Sequence, residues 1–161
     1  MYYCVIHRPQ ADFQKLVPFK KKYDPYYPGI GTHITLVFPV PMSEISEKAF
    51  MDHVASIAKR QRPFQVHLNG FEKSKDHWLF LAVKEGRAGI IQLHDALYTG
   101  PLEKYLRADL PYSPHIALGL FTKTESKYDL RNPTVVGFDA ERYEKALQEA
   151  EGLKLDYVVP F

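Results

Sequence analysis

Two histidines stand at matching positions in the two halves of this 161-residue chain. Residues 32–36 read Thr-His-Ile-Thr-Leu, and residues 114–118 read Pro-His-Ile-Ala-Leu. In both copies an apolar strand-like segment follows the histidine, and a segment containing proline or glycine comes before it. This repeat, about half a chain length apart, predicts an internal duplication that places His33 and His115 at equivalent points of two strands.

A histidine and a hydroxyl on one face of a strand suit phosphate chemistry. His33 and Thr35 are two residues apart, so their side chains point to the same side of a strand. The hydroxyl can donate a hydrogen bond to a phosphoryl oxygen, and the imidazole can transfer a proton near neutral pH. His33 and His115 on opposite sides of a phosphorus could act as base and acid in one in-line displacement, with no metal or other cofactor. The near-symmetry of the motifs leaves open which histidine is the acid.

The second motif lacks the hydroxyl of the first, because Ala117 stands at the position equivalent to Thr35. A missing hydrogen bond to an anionic group could weaken transition-state binding by about 1.5–3 kcal/mol. Ser113, Tyr112 or a backbone N–H could donate in its place. We therefore take Thr35 and Ser113 as the candidate phosphate-binding residues.

Other aromatic and histidine side chains are assigned by their place in the chain. Tyr26, Tyr27 and Tyr112 lie in the loops before the two motifs, where they could stack on a base or fill the space between two lobes. The remaining histidines share no metal-ligand spacing such as two histidines four apart on one helix, so surface or packing roles and no metal site are predicted. These histidines are His7, His53, His67, His77 and His94.

The elements that position these residues alternate between strand and helix. Strands are predicted at 2–7, 32–38, 64–72, 78–83, 113–121, 134–138 and 153–159, with a hairpin turn at 73–77. Helices are predicted at 11–22, from a Ser43 cap to 59, at 88–106 with an interruption at Gly100, and at 139–150 behind an Asp139 cap. Residues 23–31 are predicted to be a loop, and Pro39 and Pro41 are expected to end the second strand.

The composition is that of an ordinary globular domain, with 45% hydrophobic and 25% charged residues. A net charge of +2 is too small for a dedicated nucleic-acid coat, and the basic clusters at 20–22 and 59–62 are expected to be solvated. No apolar run approaches the roughly 20 residues that cross a bilayer, and no signal peptide is recognised. Cys4 is the only cysteine, which excludes an intramolecular disulfide. These features predict a cytoplasmic location.

The two motifs, His-Ile-Thr-Leu at 33–36 and His-Ile-Ala-Leu at 115–118, resemble the paired histidine motifs of the two-histidine phosphoesterase superfamily. The branch they resemble is called 2′,5′ RNA ligase-like, and the resemblance extends over nearly the whole chain in the order of motifs and elements. It implies an α+β, α/β-like fold: one duplicated bilobal domain, residues 1–161, with helices outside two mostly antiparallel sheets that line a central groove. Many members continue into another strand beyond the position of Phe161.

The resemblance also implies an activity. Members hydrolyse cyclic phosphodiesters, typically opening a 2′,3′-cyclic phosphate to a 2′-phosphate, and some ligate RNA ends. Carried onto this sequence, His33 and His115 become the acid/base pair and Thr35 a phosphate-binding hydroxyl. We expect an RNA-processing hydrolase that binds an RNA end or a small cyclic nucleotide, with no cofactor, no membrane partner and a monomeric state.

Two alternatives remain at the level of sequence. Because of Ala117, the chain could be a nucleotide- or RNA-phosphate-binding module that has lost turnover. It could also be a general interaction domain in which the repeated strands are only architecture. Convergence of the imidazoles of His33 and His115 would separate these readings, because histidines on opposite sides of the core could not share a phosphate.

Overall fold

The computed structural model describes residues 1–123 and 137–161. In chain order the elements are β1 Tyr2–His7, α1 Leu16–Tyr23, α2 Tyr27–Ile30, β2 Ile34–Pro41, α3 Glu47–Ala58, β3 Gln65–Lys73, β4 Trp78–Glu85, α4 Arg87–Leu97, a 3₁₀ helix Gly100–Tyr105, β5 His115–Leu120, α5 Ala140–Gly152 and β6 Asp156–Pro160. The strand predicted at 134–138 lies outside the described residues except for its end, where Phe138 forms an isolated bridge with Thr122. Within the described ranges, no helix has the length and apolar character needed to cross a membrane.

The strands form two antiparallel sheets. β1 and β2 make a two-stranded sheet, and the other four are ordered β5-β4-β3-β6. The predicted α+β class with mostly antiparallel pairing is confirmed. Among the described strands, β2 and β5 each have one neighbour, so both motif strands have an edge whose backbone groups must find partners outside the sheet.

The helices connect the two halves of the chain. Helix α1 packs on β5, and helix α4 packs on β2, so each motif strand is covered by a helix from the other half. The apolar stripes of these helices supply buried side chains, including Leu16 and Phe19 from α1 and Ile90 and Leu93 from α4. Burying each of them contributes roughly 1.5–3 kcal/mol, which makes this crossed packing a main source of stability.

Two of the predicted helix caps have different outcomes. Asp139 caps α5 as predicted, because its carboxylate accepts a hydrogen bond from the backbone N of Arg142 at 3.1 Å. The prediction that Ser43 caps α3 is wrong. Ser46 does so, accepting from the backbone N of Ala49 at 3.3 Å, three residues further on as a cap requires.

Strand β2 continues through Pro39 and ends at Pro41, so the expectation that the prolines would end it is wrong for Pro39 and correct for Pro41. It runs to Pro41, which lies opposite Tyr2 of β1. Because β2 has a single neighbour among the described strands, a residue without an N–H can face its open side at no cost to the ladder.

Three further segments differ from the prediction. The loop predicted at 23–31 contains the short helix α2. Helix α1 begins only at Leu16, which leaves Pro18 in its first turn, where proline is tolerated. The helix predicted at 88–106 is interrupted near Gly100 as expected, but α4 already ends at Leu97, and the part that begins at Gly100, whose φ is +53°, is a 3₁₀ helix.

Candidate active site

The two imidazoles make the same local hydrogen bond. Nδ1 of His33 lies 3.0 Å from the carbonyl oxygen of Gly31, and Nδ1 of His115 lies 2.6 Å from that of Ser113. A carbonyl oxygen can only accept, so each Nδ1 carries a proton and each Nε2 is left to accept or give one. The duplication seen in the sequence therefore extends to the tautomer of the two rings.

The two histidines sit at the starts of their strands rather than inside them. His115 is the first residue of β5, and His33 immediately precedes β2. Gly31, the acceptor for His33, follows helix α2 with a φ of +76°, a conformation that favours glycine. Both rings are half-buried.

Burial sets the protonation of both rings. It lowers the pKa of His33 and brings the pKa of His115 to about 4, against the partial opposing effect of the carbonyl bonds. Charge on His33 further lowers the pKa of His115, and the charge of Lys20 lowers the pKa of both. Because charge on His33 acts on His115, and because both rings respond to the same ammonium group, the two rings belong to one electrostatic environment.

The ring of Phe80 covers His115. Their centroids are 3.4 Å apart and their planes differ by 16°. Phe80 lies on β4 directly opposite Ala117 of β5, and cross-strand partners share a face of the sheet. The small side chain at residue 117 therefore leaves room for the Phe80 ring against His115. Sequence reasoning missed Phe80, since only the register between β4 and β5 brings the two rings together.

Lys20 is a second residue that sequence reasoning missed. The prediction that residues 20–22 are solvated is correct for Lys21 and Lys22 but wrong for Lys20, which is 1% exposed. Its ammonium group donates to the carbonyl oxygen of Ala117 and lies 2.8 Å from a carboxylate oxygen of Asp24. The spacing of Lys20 and Asp24 on a helical turn was visible in the sequence, but the partner on β5 was not.

The candidate phosphate ligands differ in their surroundings. Thr35 is half-buried, and its hydroxyl has no hydrogen-bond partner among the described residues. The Ser113 hydroxyl accepts a hydrogen bond at 3.0 Å from Nη2 of Arg87, the first residue of α4. Arg87 thus brings a guanidinium group to the second motif, a contact that no sequence spacing indicated.

The three loop tyrosines have separate positions. The Tyr112 hydroxyl donates to the carbonyl oxygen of Thr35 at 2.8 Å, and its ring stacks on His94 with centroids 3.7 Å apart. Tyr26 stacks on Trp78, whereas the centroid of the Tyr27 ring is 5.4 Å from the ammonium group of Lys20. Tyr112 therefore bridges the two motifs, and the Tyr27 ring faces the ammonium group of Lys20. Base stacking by these residues stays a prediction.

Several remaining histidines have partners of their own. His67 lies 2.7 Å from a carboxylate oxygen of Asp156, and Nε2 of His53 lies 2.9 Å from the carbonyl oxygen of Leu97. Across residues 1–123 and 137–161, no three histidine, cysteine or carboxylate side chains are grouped in a way that could hold a metal ion.

Comparison with known proteins gives one family. The family model described as the 2′-5′ RNA ligase superfamily matches residues 7–149. Two curated relatives, both named "Putative phosphoesterase", come from Bacillus licheniformis and Halalkalibacterium halodurans. The first is 26% identical over 120 residues, covering 73% of this chain and 70% of the relative. The second is 29% identical over 125 residues, covering 74% and 70%.

A solved structure has the same fold. The crystal structure of Escherichia coli LigT complexed with 3′-AMP superimposes with a TM-score of 0.55 at 20% identity, over 98% of this chain and 82% of that one. The two antiparallel sheets and the helices around them are therefore an arrangement already known from experiment.

Proposed function

Because the chain belongs to the 2′-5′ RNA ligase superfamily, we propose that it is a phosphoesterase that hydrolyses a 2′,3′-cyclic phosphodiester, at an RNA end or on a small nucleotide. One observation carries this proposal. His33 and His115 have matching Nδ1–carbonyl hydrogen bonds, which leave both Nε2 atoms available, and charge on His33 acts on His115. Two imidazoles whose Nε2 atoms are both available can serve as the base and the acid on either side of one phosphorus.

In the proposed reaction a water oxygen attacks the phosphorus on the side opposite O3′. His115 Nε2 takes the proton of the water as the new P–O bond forms. The P–O3′ bond breaks, and His33 Nε2 gives its proton to O3′, so that the products are a 2′-phosphate and a free 3′-hydroxyl. Exchange of protons with solvent then restores both rings.

The surroundings of the rings favour this assignment of base and acid. Under the Phe80 ring, and with a pKa of about 4, His115 is neutral at pH 7 and can accept a proton at once. His33 must be protonated to act as the acid. The negative charge of a bound phosphodiester raises the pKa of a neighbouring imidazole, which favours that state of His33 in the complex.

The phosphate would be held differently on the two sides. Thr35 offers its hydroxyl beside His33. On the other side the Ser113 oxygen accepts from Arg87, so the Ser113 hydroxyl hydrogen is left for a phosphoryl oxygen. The complex of LigT with 3′-AMP supports a nucleotide-sized ligand. The ring of Tyr27 is the candidate for contact with the base.

The decisive test is hydrolysis of 2′,3′-cyclic AMP and of an RNA ending in a cyclic phosphate, with a chelator present. His33→Ala and His115→Ala should each lower kcat by about 10²–10⁴-fold, the usual contribution of a general acid or base. The matched control is His67→Ala, which removes a histidine that pairs with Asp156 on the four-stranded sheet. Full activity in either motif variant would disprove the mechanism.

The same pair could also use a ribose hydroxyl in place of water. The 5′-hydroxyl of a second RNA would then attack the cyclic phosphate, and departure of O3′ would leave a 2′–5′ phosphodiester. Incubation of the cyclic-phosphate RNA with a 5′-hydroxyl RNA, followed by gel separation, would show a ligated product that His33→Ala does not form. Hydrolysis without any ligated product would restrict the activity to the water reaction.

The alternative is a binding module without turnover, which is favoured by Ala117 and by the Phe80 ring in the space beside it. This alternative predicts that the chain binds 2′-AMP but forms no product from the cyclic phosphate over a long incubation. Turnover that depends on His33 would contradict it.

A further inference from the structure

A fully buried ammonium group lies against the second motif strand. Nζ of Lys20, on helix α1, donates to the carbonyl oxygen of Ala117 on the open edge of β5. The same Nζ forms an ion pair with a carboxylate oxygen of Asp24 at 2.8 Å. A buried cation is costly unless it is paired and hydrogen-bonded. An uncharged side chain could fill the same volume, so the charge itself calls for an explanation.

The first motif has an equivalent contact of a different kind. There the carbonyl oxygen of Thr35, two residues after the histidine as Ala117 is, accepts from the neutral phenol of Tyr112. Each motif strand is thus held at the same position by a side chain from the other half of the chain. The motif that has a hydroxyl is held by an uncharged group, and the motif without one is held by Lys20.

We propose that Lys20 is a positioning residue that compensates for the hydroxyl missing at residue 117. It fixes β5 directly behind His115 and places a positive charge, paired with Asp24, beside the site where an anionic phosphodiester would bind. The inference rests on the proposed function, because it concerns the same phosphate.

The charge of Lys20 acts on both sides of the site, since it lowers the pKa of His33 and of His115. The partner carboxylate opposes it and raises the pKa of His33. The other charged groups that act on the two rings are Arg8 at His33 and Asp76 at His115. The Lys20 ammonium is the positive side chain that acts on both rings.

The first experiment compares Lys20→Met with Lys21→Met, the exposed neighbour on the same helix. With 2′,3′-cyclic AMP, K20M should lower kcat at least tenfold and K21M less than twofold. Loss of the positive charge should also move both limbs of the pH profile of kcat/KM to higher pH. A K20M protein that folds and keeps half its activity with unshifted limbs would refute the proposal and leave the histidine mechanism intact.

A double-mutant cycle tests compensation directly. If Lys20 already supplies what residue 117 lacks, Ala117→Ser should change kcat less than threefold in the wild-type background. In the K20M background the same substitution should raise kcat at least fivefold. Equal effects in the two backgrounds would show that Lys20 and the missing hydroxyl are independent, which contradicts the proposal.

Asp24→Asn keeps the inference testable if K20M does not fold. Removing the carboxylate takes away the charge that raises the pKa of His33, so the alkaline limb, which His33 governs, should move to lower pH while the ammonium group keeps its proton. If the ion pair had only a structural role, there would be no reason for the alkaline limb of kcat/KM to move in opposite directions in K20M and D24N. An unchanged or raised limb in D24N would overturn the proposal.

A binding measurement tests the effect of the Lys20 charge without requiring turnover. In titration calorimetry with 2′-AMP, the dissociation constant should be at least fivefold larger for K20M than for K21M. For D24N it should be at least fivefold smaller than for K21M. Equal affinities would refute the role of Lys20, including in a protein that fails to hydrolyse the cyclic substrate.

Discussion

Phe80 is the aromatic residue that stacks on the imidazole ring of His115. It lies 3.4 Å from the imidazole and lies opposite Ala117, so it removes water from one face of the ring. Because desolvation penalises the charged imidazole, the pKa of His115 falls to about 4. The residue at 117 and the protonation of His115 are therefore linked through one aromatic ring.

Phe80→Leu should raise the pKa of His115 towards the ordinary histidine value of about 6.5, because water regains access to the ring. The acid limb of kcat/KM, which in the free enzyme follows the base, should move from about pH 4 to higher pH. A pH profile with 2′,3′-cyclic AMP measures the shift. Phe13→Leu, which removes a ring that packs on Tyr157, is the control and should leave the limb unmoved.

The same lowered pKa makes the folded protein sensitive to acid. His115 binds a proton less readily in the folded chain, with a pKa of about 4, than in the unfolded chain, where it is about 6.5. Its contribution to stability is complete above pH 6.5 and is lost as the pH falls towards 4. The loss is about 3 kcal/mol.

Urea unfolding at pH 7 and pH 4 measures this sensitivity. Other groups also titrate in this range, so wild type is compared with His115→Asn, which cannot titrate. The free energy of unfolding should fall more steeply with acid in the wild type than in H115N. Parallel slopes would show that the pKa of His115 is not lowered by folding.

At the scale of elements, β2 is held by two tyrosine hydroxyls at different distances from His33. Tyr112 donates to the Thr35 carbonyl at 2.8 Å, and the Tyr98 hydroxyl accepts from the backbone N of Phe38 at 2.9 Å. One contact lies two residues from the histidine and the other five. Comparing the two contacts therefore distinguishes an effect on the stability of β2 from an effect on the placement of His33.

Tyr112→Phe and Tyr98→Phe should each lower the free energy of unfolding by about 0.5–1.5 kcal/mol, the usual value of one hydrogen bond. Only Y112F should also reduce kcat, because it frees the strand beside Thr35. Denaturant unfolding and steady-state kinetics on both variants check this. Equal kcat in the two variants would show that the Tyr112 contact serves the fold alone.

The elements also show how far sequence reasoning reaches. The bounds of β1 and the cap at Asp139 follow from local residue patterns, and both are found as predicted. The duplicated histidines are visible for the same reason. The roles of Phe80 and Lys20 could not be predicted, because they depend on the register between β4 and β5 and on a contact between residues 97 positions apart.

At the scale of the whole molecule, the two halves of the chain cover each other. Helix α1 packs on β5 and α4 packs on β2, while Lys20 and Tyr112 each hold a carbonyl in the opposite motif. We therefore propose that residues 1–161 act as one bilobal domain. Neither half should fold into a stable unit alone, since each would expose the apolar face of a helix and the open edge of a motif strand.

These reciprocal contacts have a consequence for synthesis on the ribosome. Lys20 is made long before the Ala117 carbonyl that it binds, whereas the Thr35 carbonyl must await a tyrosine 77 residues downstream. A nascent chain in which His33 has been synthesised but β5 has not therefore contains the first imidazole without that of His115. Under the proposed mechanism an unfinished chain therefore lacks the acid/base pair, which would form only after both motifs have been translated.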